Sequence, residues 1–239
     1  MTERLVRKFA NAGKLPRLAE VALSEAAADQ RVLEPDQLIV AERDFPDCVH
    51  VVLEGFACRY KILAASGRRP ILDFLLPGDL CDAHPDVGAA MDHSIGTLTT
   101  CRVAFIPREA LWDLARRFPA IARALSWSAL VEESVAREWL VNIAARPADQ
   151  RIAHLLCEIC ARLQAVGLSD RGRYPLPITQ LDLADATGLS LVHANRMLQR
   201  LRAAKLVVWR SDELTLPQPA QLARYCGFES DYLHLDALT

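Results

Sequence analysis

The sequence predicts an α+β chain: a small antiparallel β-barrel or jelly roll, then a long helix, then a helix-turn-helix with a hairpin wing. Three observations predict it. Between residues 31 and 106, short β-rich apolar runs alternate with turn signals. Residues 120–142 contain neither Gly nor Pro. Residues 177–216 hold two cappable helical stretches around Gly188, then a hairpin pattern.

Residues 15–28 predict a short first helix, with Leu15, Leu18, Ala22 and Ala26 at helical spacing. The period changes near Arg31. Strands are expected over 38–41, 49–54, 56–63, 70–76 and 94–106. They are separated by Glu34-Pro35-Asp36, Phe45-Pro46-Asp47, Glu54-Gly55, Ser66-Gly67 and Pro77-Gly78-Asp79. Residues 82–92 read as a loop or short helix at the barrel mouth. A helix over 108–118 follows, and Pro119 opens the next.

At 100° per residue, Ile121, Ala124, Leu125, Ser128, Val131, Val135 and Trp139 share one face of that helix. Arg123, Ser126, Glu133 and Arg137 lie opposite. A helix of residues 120–142 spans about 35 Å at 1.5 Å per residue. Its apolar face can be core-packed within one chain, but at this length it is expected to form a two-fold coiled-coil seam, with Ile121, Leu125, Ser128, Val131, Val135 and Trp139 at the dimer interface. Pro147 separates it from a helix over 148–166 whose core stripe is Ile152, Leu155, Leu156, Ile159 and Leu163. Residues 167–174 read as a polar linker. The expected division is 1–118, 119–146 and 147–239.

Composition removes several classes of function. The 239 residues are 51% apolar and 24% charged, which is globular and neither disordered nor collagen-like. The net charge of −2 excludes a wholly basic nucleic-acid coat, but not a local basic patch. No apolar run approaches the ~18 residues of a membrane span, and residues 1–10 lack the apolar core of a signal peptide. A cytoplasmic location without membrane contact is expected. The seven cysteines are odd in number and scattered, as free thiols in a reducing compartment would be. Cys157 and Cys160 have CxxC spacing, but inside a helical run with no second pair. No Gly-x-Ser-x-Gly, phosphate loop or HExxH occurs, so no enzymatic activity is expected.

In residues 177–190, Thr179 can cap a first helix with Asp182 three residues on, and Gly188 can end it. Ser190 can cap a second helix running to about residue 204. Leu191, Ala194, Leu198 and Leu201 form its expected core side. Val192, Arg196, Gln199 and Arg200 lie opposite, flanked by His193 and Asn195. Arg can pair with guanine, and Asn or Gln with adenine, in a major groove. Residues 206–216 read as a two-stranded wing. Residues 178–210 carry five basic side chains (Arg196, Arg200, Arg202, Lys205, Arg210) against Asp182 and Asp185, a local charge of +3 suited to phosphates. The candidate DNA contacts are Thr179, Gln180, Ser190, Val192, His193, Asn195, Arg196, Gln199 and Arg200.

This order of parts resembles the Crp/Fnr family of bacterial transcription regulators. The resemblance rests on Val52-Leu53-Glu54-Gly55, Ser66-Gly67-Arg68-Arg69, Leu76-Pro77-Gly78-Asp79-Leu80 and residues 181–206. It implies a cyclic-nucleotide-binding-like β-roll, a dimerisation helix and a winged helix-turn-helix. It implies a homodimer on a pseudo-palindromic double-stranded DNA operator, with RNA polymerase as a protein partner. It places a guanine-reading arginine at Arg196. Val192 stands where founding members carry Glu, so their operator is not carried over, and Asn195 and His193 are the candidates for replacement contacts.

The resemblance also bears on ligands. Relatives that bind cyclic nucleotides use a Gly-Glu turn and an Arg-Ser/Thr-Ala segment. Here Asp79 follows Gly78, and the nearest segment is Asp92-His93-Ser94, with an acid where phosphate needs a cation. Binding of cAMP in the usual way is not expected, and no cofactor is required. The N-terminal cysteines of iron–sulfur relatives are missing. Cys81, His84 and His93 are the candidate haem or metal ligands, set against their ordinary roles as a core thiol and loop histidines. The competing expectation is a small-ligand or haem sensor whose winged helix serves protein contacts.

Overall fold

Pro119 and Pro147 set the ends of the helix that organises the molecule. In a computed structural model describing residues 2–82 and 89–235, that helix, α4, spans Pro119–Ala145 with Pro119 in its first turn. It stops where Arg146 takes an extended conformation before Pro147.

Ahead of α4 come α1 (Glu3–Ala10) and α2 (Arg17–Ala26), then strands β1 (Gln30–Leu33), β2 (Leu38–Val40), β3 (Cys48–Glu54), β4 (Ala57–Tyr60), β5 (Ile71–Leu75), β6 (Ser94–Thr97) and β7 (Cys101–Pro107), then α3 (Arg108–Arg117). Two antiparallel sheets form, ordered β1-β7-β3 and β2-β6-β4-β5. Their facing apolar side chains, among them Val52, Ala57, Leu75, Ile95 and Val103, make a core inside the roll. The run over 94–106 divides into β6 and β7, which lie in different sheets. Residues 83–88 of the expected mouth segment, including His84, lie outside the described residues.

After α4 follow α5 (Ala148–Ala165), β8 (Arg173–Pro175), α6 (Gln180–Thr187), α7 (Leu191–Ala203), β9 (Val208–Arg210), β10 (Glu213–Thr215), α8 (Pro219–Cys226) and a 3₁₀ turn (Asp231–Leu233). The expected linker over 167–174 is in part strand. β8 pairs with β10, making the wing three-stranded in the order β8-β10-β9. Tyr174 anchors β8: its ring is buried and its hydroxyl donates to Leu156 O at 2.7 Å.

Helix α1, strand β1, helix α8 and the 3₁₀ turn lack an expectation from sequence. Helix α1 buries Leu5 and Phe9, and the chain after α8 returns to α4, where Trp127 Nε1 donates to His234 O at 3.1 Å. With them a single apolar core runs from Leu5 through the buried faces of α4 and α5 to Leu233.

The expected dimer seam is corrected here. Ile121, Leu125, Ser128, Val131, Val135 and Trp139 are all buried within one chain. The face that carries them packs against this chain's own α1, α3, α5 and 231–233 turn. A helix of this length needed an apolar cover, and the same chain provides it. The opposite face of α4 is exposed, and alongside Ser126, Glu133 and Arg137 it carries Leu130, Leu140, Val141 and Ile143.

Candidate nucleic-acid interface

The turn between α6 and α7 is built by local chemistry. Thr179 caps α6 with a reciprocal box: its Oγ1 accepts from Asp182 N at 3.1 Å, and Asp182 Oδ2 accepts from Thr179 N at 2.8 Å. Gly188 closes α6 at φ 67°, a left-handed conformation that costs glycine little. Ser190 then caps α7, its hydroxyl accepting from His193 N at 3.3 Å. Ala194, Met197, Leu198 and Leu201 seat α7 on α5 and α6.

The outward side of α7 matches the expected division with one correction. Val192, Arg196, Gln199 and Arg200 are exposed, and His193 and Asn195 are half-buried at the edges. Leu191, expected in the core, is exposed, and Met197 is buried instead. The centre of the buried side falls between Ala194, Leu201 and Met197, about 70° from Leu191 at 100° per residue. Arg196 makes no hydrogen bond or ion pair among the described residues. Arg200 Nη1 lies 3.5 Å from Asp149 Oδ2, and Asn195 Oδ1 is buried without a hydrogen-bond partner among the described residues. Arg202 ties α7 to the wing through Trp209 O at 3.2 Å. Thr179, Gln180 and Ser190 are exposed at the N-termini of α6 and α7, where backbone N–H groups and helix dipoles favour phosphate.

The helix-turn-helix is not hung free of the β-roll. Arg69, just before β5, pairs with Asp182 at 2.9 Å. Deeper in, Arg162 of α5 reaches the roll: its guanidinium contacts Asp73 Oδ1 at 2.9 Å, Asp79 Oδ2 at 2.7 Å and Phe74 O at 2.7 Å. Lys8 of α1 also pairs with Asp79. Gly78 lets the turn before Asp79 lie against α1: at φ 100° its backbone passes so close to Arg4 that a Cβ would meet Arg4 O at 2.9 Å. Burial alone would raise the Asp79 carboxyl, but Lys8 and Arg162 outweigh it and hold Asp79 well below the ordinary carboxylate range. Glu158, one turn before Arg162, is fully buried and pushed up by burial. It accepts from Trp139 Nε1 at 3.0 Å and from Tyr232 Oη at 2.7 Å. Nothing in the linear pattern marks this junction, because Asp73 and Asp79 lie 89 and 83 positions from Arg162.

A cavity of about 220 Å³ at the roll is lined by Arg59, Cys81, Asp82, Met91, Asp92, His93 and Glu132, with Ala89 and Ala90. Arg59 is committed to Glu132 at 2.9 Å and Asp73 at 3.6 Å. Asp82 pairs with Arg108, and His93 Nδ1 lies 2.6 Å from Asp92 Oδ1. Cys81 is a buried thiol whose pKa burial raises. Among the described residues no three His, Cys, Asp or Glu side chains are grouped to hold a metal ion. Cys157 and Cys160 are likewise buried free thiols.

The two halves match separate family models. Residues 30–118 match the cyclic nucleotide-binding domain and residues 150–225 the Crp-like helix-turn-helix domain. The chain is 30% identical over 188 residues to the nitrogen fixation regulation protein FixK of Bradyrhizobium diazoefficiens, covering 78% of this chain and 77% of that protein. It is 27% identical over 206 residues to the transcriptional activator protein Anr of Pseudomonas protegens, covering 86% and 84%. Its fold matches the solved structure of FixK2 from Bradyrhizobium japonicum with a TM-score of 0.72 at 24% identity, covering 82% of this chain and 95% of that one. With a nucleotide-binding-type roll, a long helix and an exposed capped recognition helix in one chain, the protein belongs to the Crp/Fnr family of DNA-binding transcription regulators.

Proposed function

We propose that the chain works as a homodimer that binds a pseudo-palindromic operator, one α7 in each major groove, with half-sites about 34 Å apart. The carrying observation is the division of α7: its inward side is buried on α5 and α6, while Arg196 stands outward without a partner among the described residues. In this reading Arg196 pairs with a guanine, and Gln199 and Asn195 face neighbouring bases, with His193 at the edge. Thr179, Gln180, Ser190 and Arg200 hold phosphates. Regions 1–118, 119–146 and 147–239 serve as sensor, dimer helix and DNA-binding unit. The dimer forms through the exposed face of α4, around Leu130, Leu140 and Ile143. The protein acts in the cytoplasm with RNA polymerase as its further partner, and as a regulator rather than an enzyme. The sensor responds to a ligand other than cAMP, because the carboxylates of Asp82, Asp92 and Glu132 border the cavity and Arg59 is already paired.

Two variants test the DNA reading. Arg196→Ala should weaken the preferred duplex by about 1–3 kcal/mol and relax preference at one base pair. Arg200→Ala should weaken preferred and scrambled duplexes alike and lower the salt slope by about 1. Equal losses on both duplexes for Arg196→Ala would make Arg196 a phosphate contact and reverse the assigned helix orientation.

A further inference from the structure

Among the described residues Val192 is the most exposed large apolar side chain, at 80%, and Leu191 beside it is 42% exposed. Both lie in the first turn of α7, next to the Ser190 cap. A β-branched residue there brings no helix propensity, and in the free protein its side chain gains nothing from water. The first turn of a recognition helix is the part that meets base edges. On the major-groove edge the C5-methyl of thymine is the apolar group, and an aliphatic side chain finds its match there rather than in a donor or acceptor. Val192 and Arg196 are four residues apart on one outward face, about 6 Å along the axis or about two base-pair steps.

We infer that Val192 reads the methyl group of a thymine about two base pairs from the guanine that Arg196 reads. The inference rests on the DNA-binding reading and adds to it the chemistry of a second specificity position. It assigns the operator a required T·A pair that carries no hydrogen bond from this side chain.

The test uses the full-length protein and a duplex selected by it from a random library. Each thymine of one half-site is replaced in turn by deoxyuridine, which removes the methyl and keeps every base pair, and affinity is read by fluorescence anisotropy. One position should weaken wild type about fourfold, the worth of one buried methyl group. Val192→Ala should abolish that loss at that position, while Arg196→Ala should retain it. Val192 is on the surface, so its variant keeps the fold, which circular dichroism checks. A selected duplex indifferent to every deoxyuridine, or a loss that persists in Val192→Ala, would overturn the inference and leave sequence-specific binding intact. A library yielding no preferred duplex would overturn the DNA reading and this inference together.

Discussion

Replacing Arg162 with Met keeps the aliphatic stem and removes the guanidinium from the junction between α5 and the β-roll. The Arg162 side chain is only 12% exposed, and its charge meets Asp73, Asp79 and Glu158 at 2.9, 2.7 and 3.3 Å and the Phe74 carbonyl at 2.7 Å. Asp73 would keep Arg59, Asp79 would keep Lys8, and Glu158 would keep only neutral donors, Trp139 and Tyr232. Exposed ion pairs contribute about 0–1 kcal/mol, but removing one partner of a buried pair costs about 3–5 kcal/mol, because the charge left behind is neither solvated nor matched. A loss of that size is expected at pH 7. Its pH dependence has a definite sign. Asp79 is held below its ordinary pKa in the native protein, so its contribution is present at neutral pH and is lost only on strong acidification. Without Arg162 the carboxyl groups of Asp79 and Glu158 rise, and protonation relieves them. The deficit should therefore shrink between pH 7 and about 5. Urea unfolding followed by the fluorescence of the four tryptophans reads it, with Asp79→Asn in the Arg162→Met background restoring part of the loss. Arg162 also joins the two halves that match separate family models, so circular dichroism and fluorescence transitions should cease to coincide. A deficit below about 1 kcal/mol, or one unchanged by pH, would refute the claim that the pair is desolvated.

Leu140→Glu should convert the dimer to monomers in light scattering with little loss of monomer stability, since Leu140 is 69% exposed within one chain. Leu125→Glu should instead cost the fold itself about 3 kcal/mol or more by burying an unpaired charge. His50 and His154 are buried, and burial, reinforced by Arg108 and Arg146 respectively, lowers each to about 4 from 6.5. The unfolded chain takes up protons between pH 6.5 and 4 that the native chain does not, so stability should fall as pH drops through that window. The expected loss is about 1–3 kcal/mol per histidine, and His154→Phe should flatten thermal melts across it. Calorimetric titration with cAMP should show no binding at micromolar concentration, and DNA affinity should not respond to it. Binding there would mean that the Asp92 and Glu132 carboxylates do not oppose a phosphate in the cavity.

The helix-turn-helix was legible in the sequence because its determinants are local. Thr179 with Asp182, Gly188, and Ser190 with His193 act within four residues of one another, and composition and spacing reveal them directly. Strands β2 to β5 and the ends of α4 were legible for the same reason, since turn residues and proline act on their immediate neighbours, whereas β1 had no such marker and the break between β6 and β7 was not legible. Periodicity also identified which face of α4 is apolar, but it could not say what covers that face. A buried stripe looks the same whether the cover is another copy or the same chain, and only the return of α1, α5 and the 231–233 turn decided it. The exposure of Leu191, at the margin of the apolar side of α7, depended likewise on where α5 and α6 end. Helix α1 and strand β8 form because tertiary contacts at Lys8, Phe9 and Tyr174 hold segments too short to be stable alone. The ionic junction of Arg162, Asp73, Asp79 and Glu158 left no trace in the linear pattern. Charge pairing over some 80 residues is a property of distance in space, which the sequence specifies only through the fold.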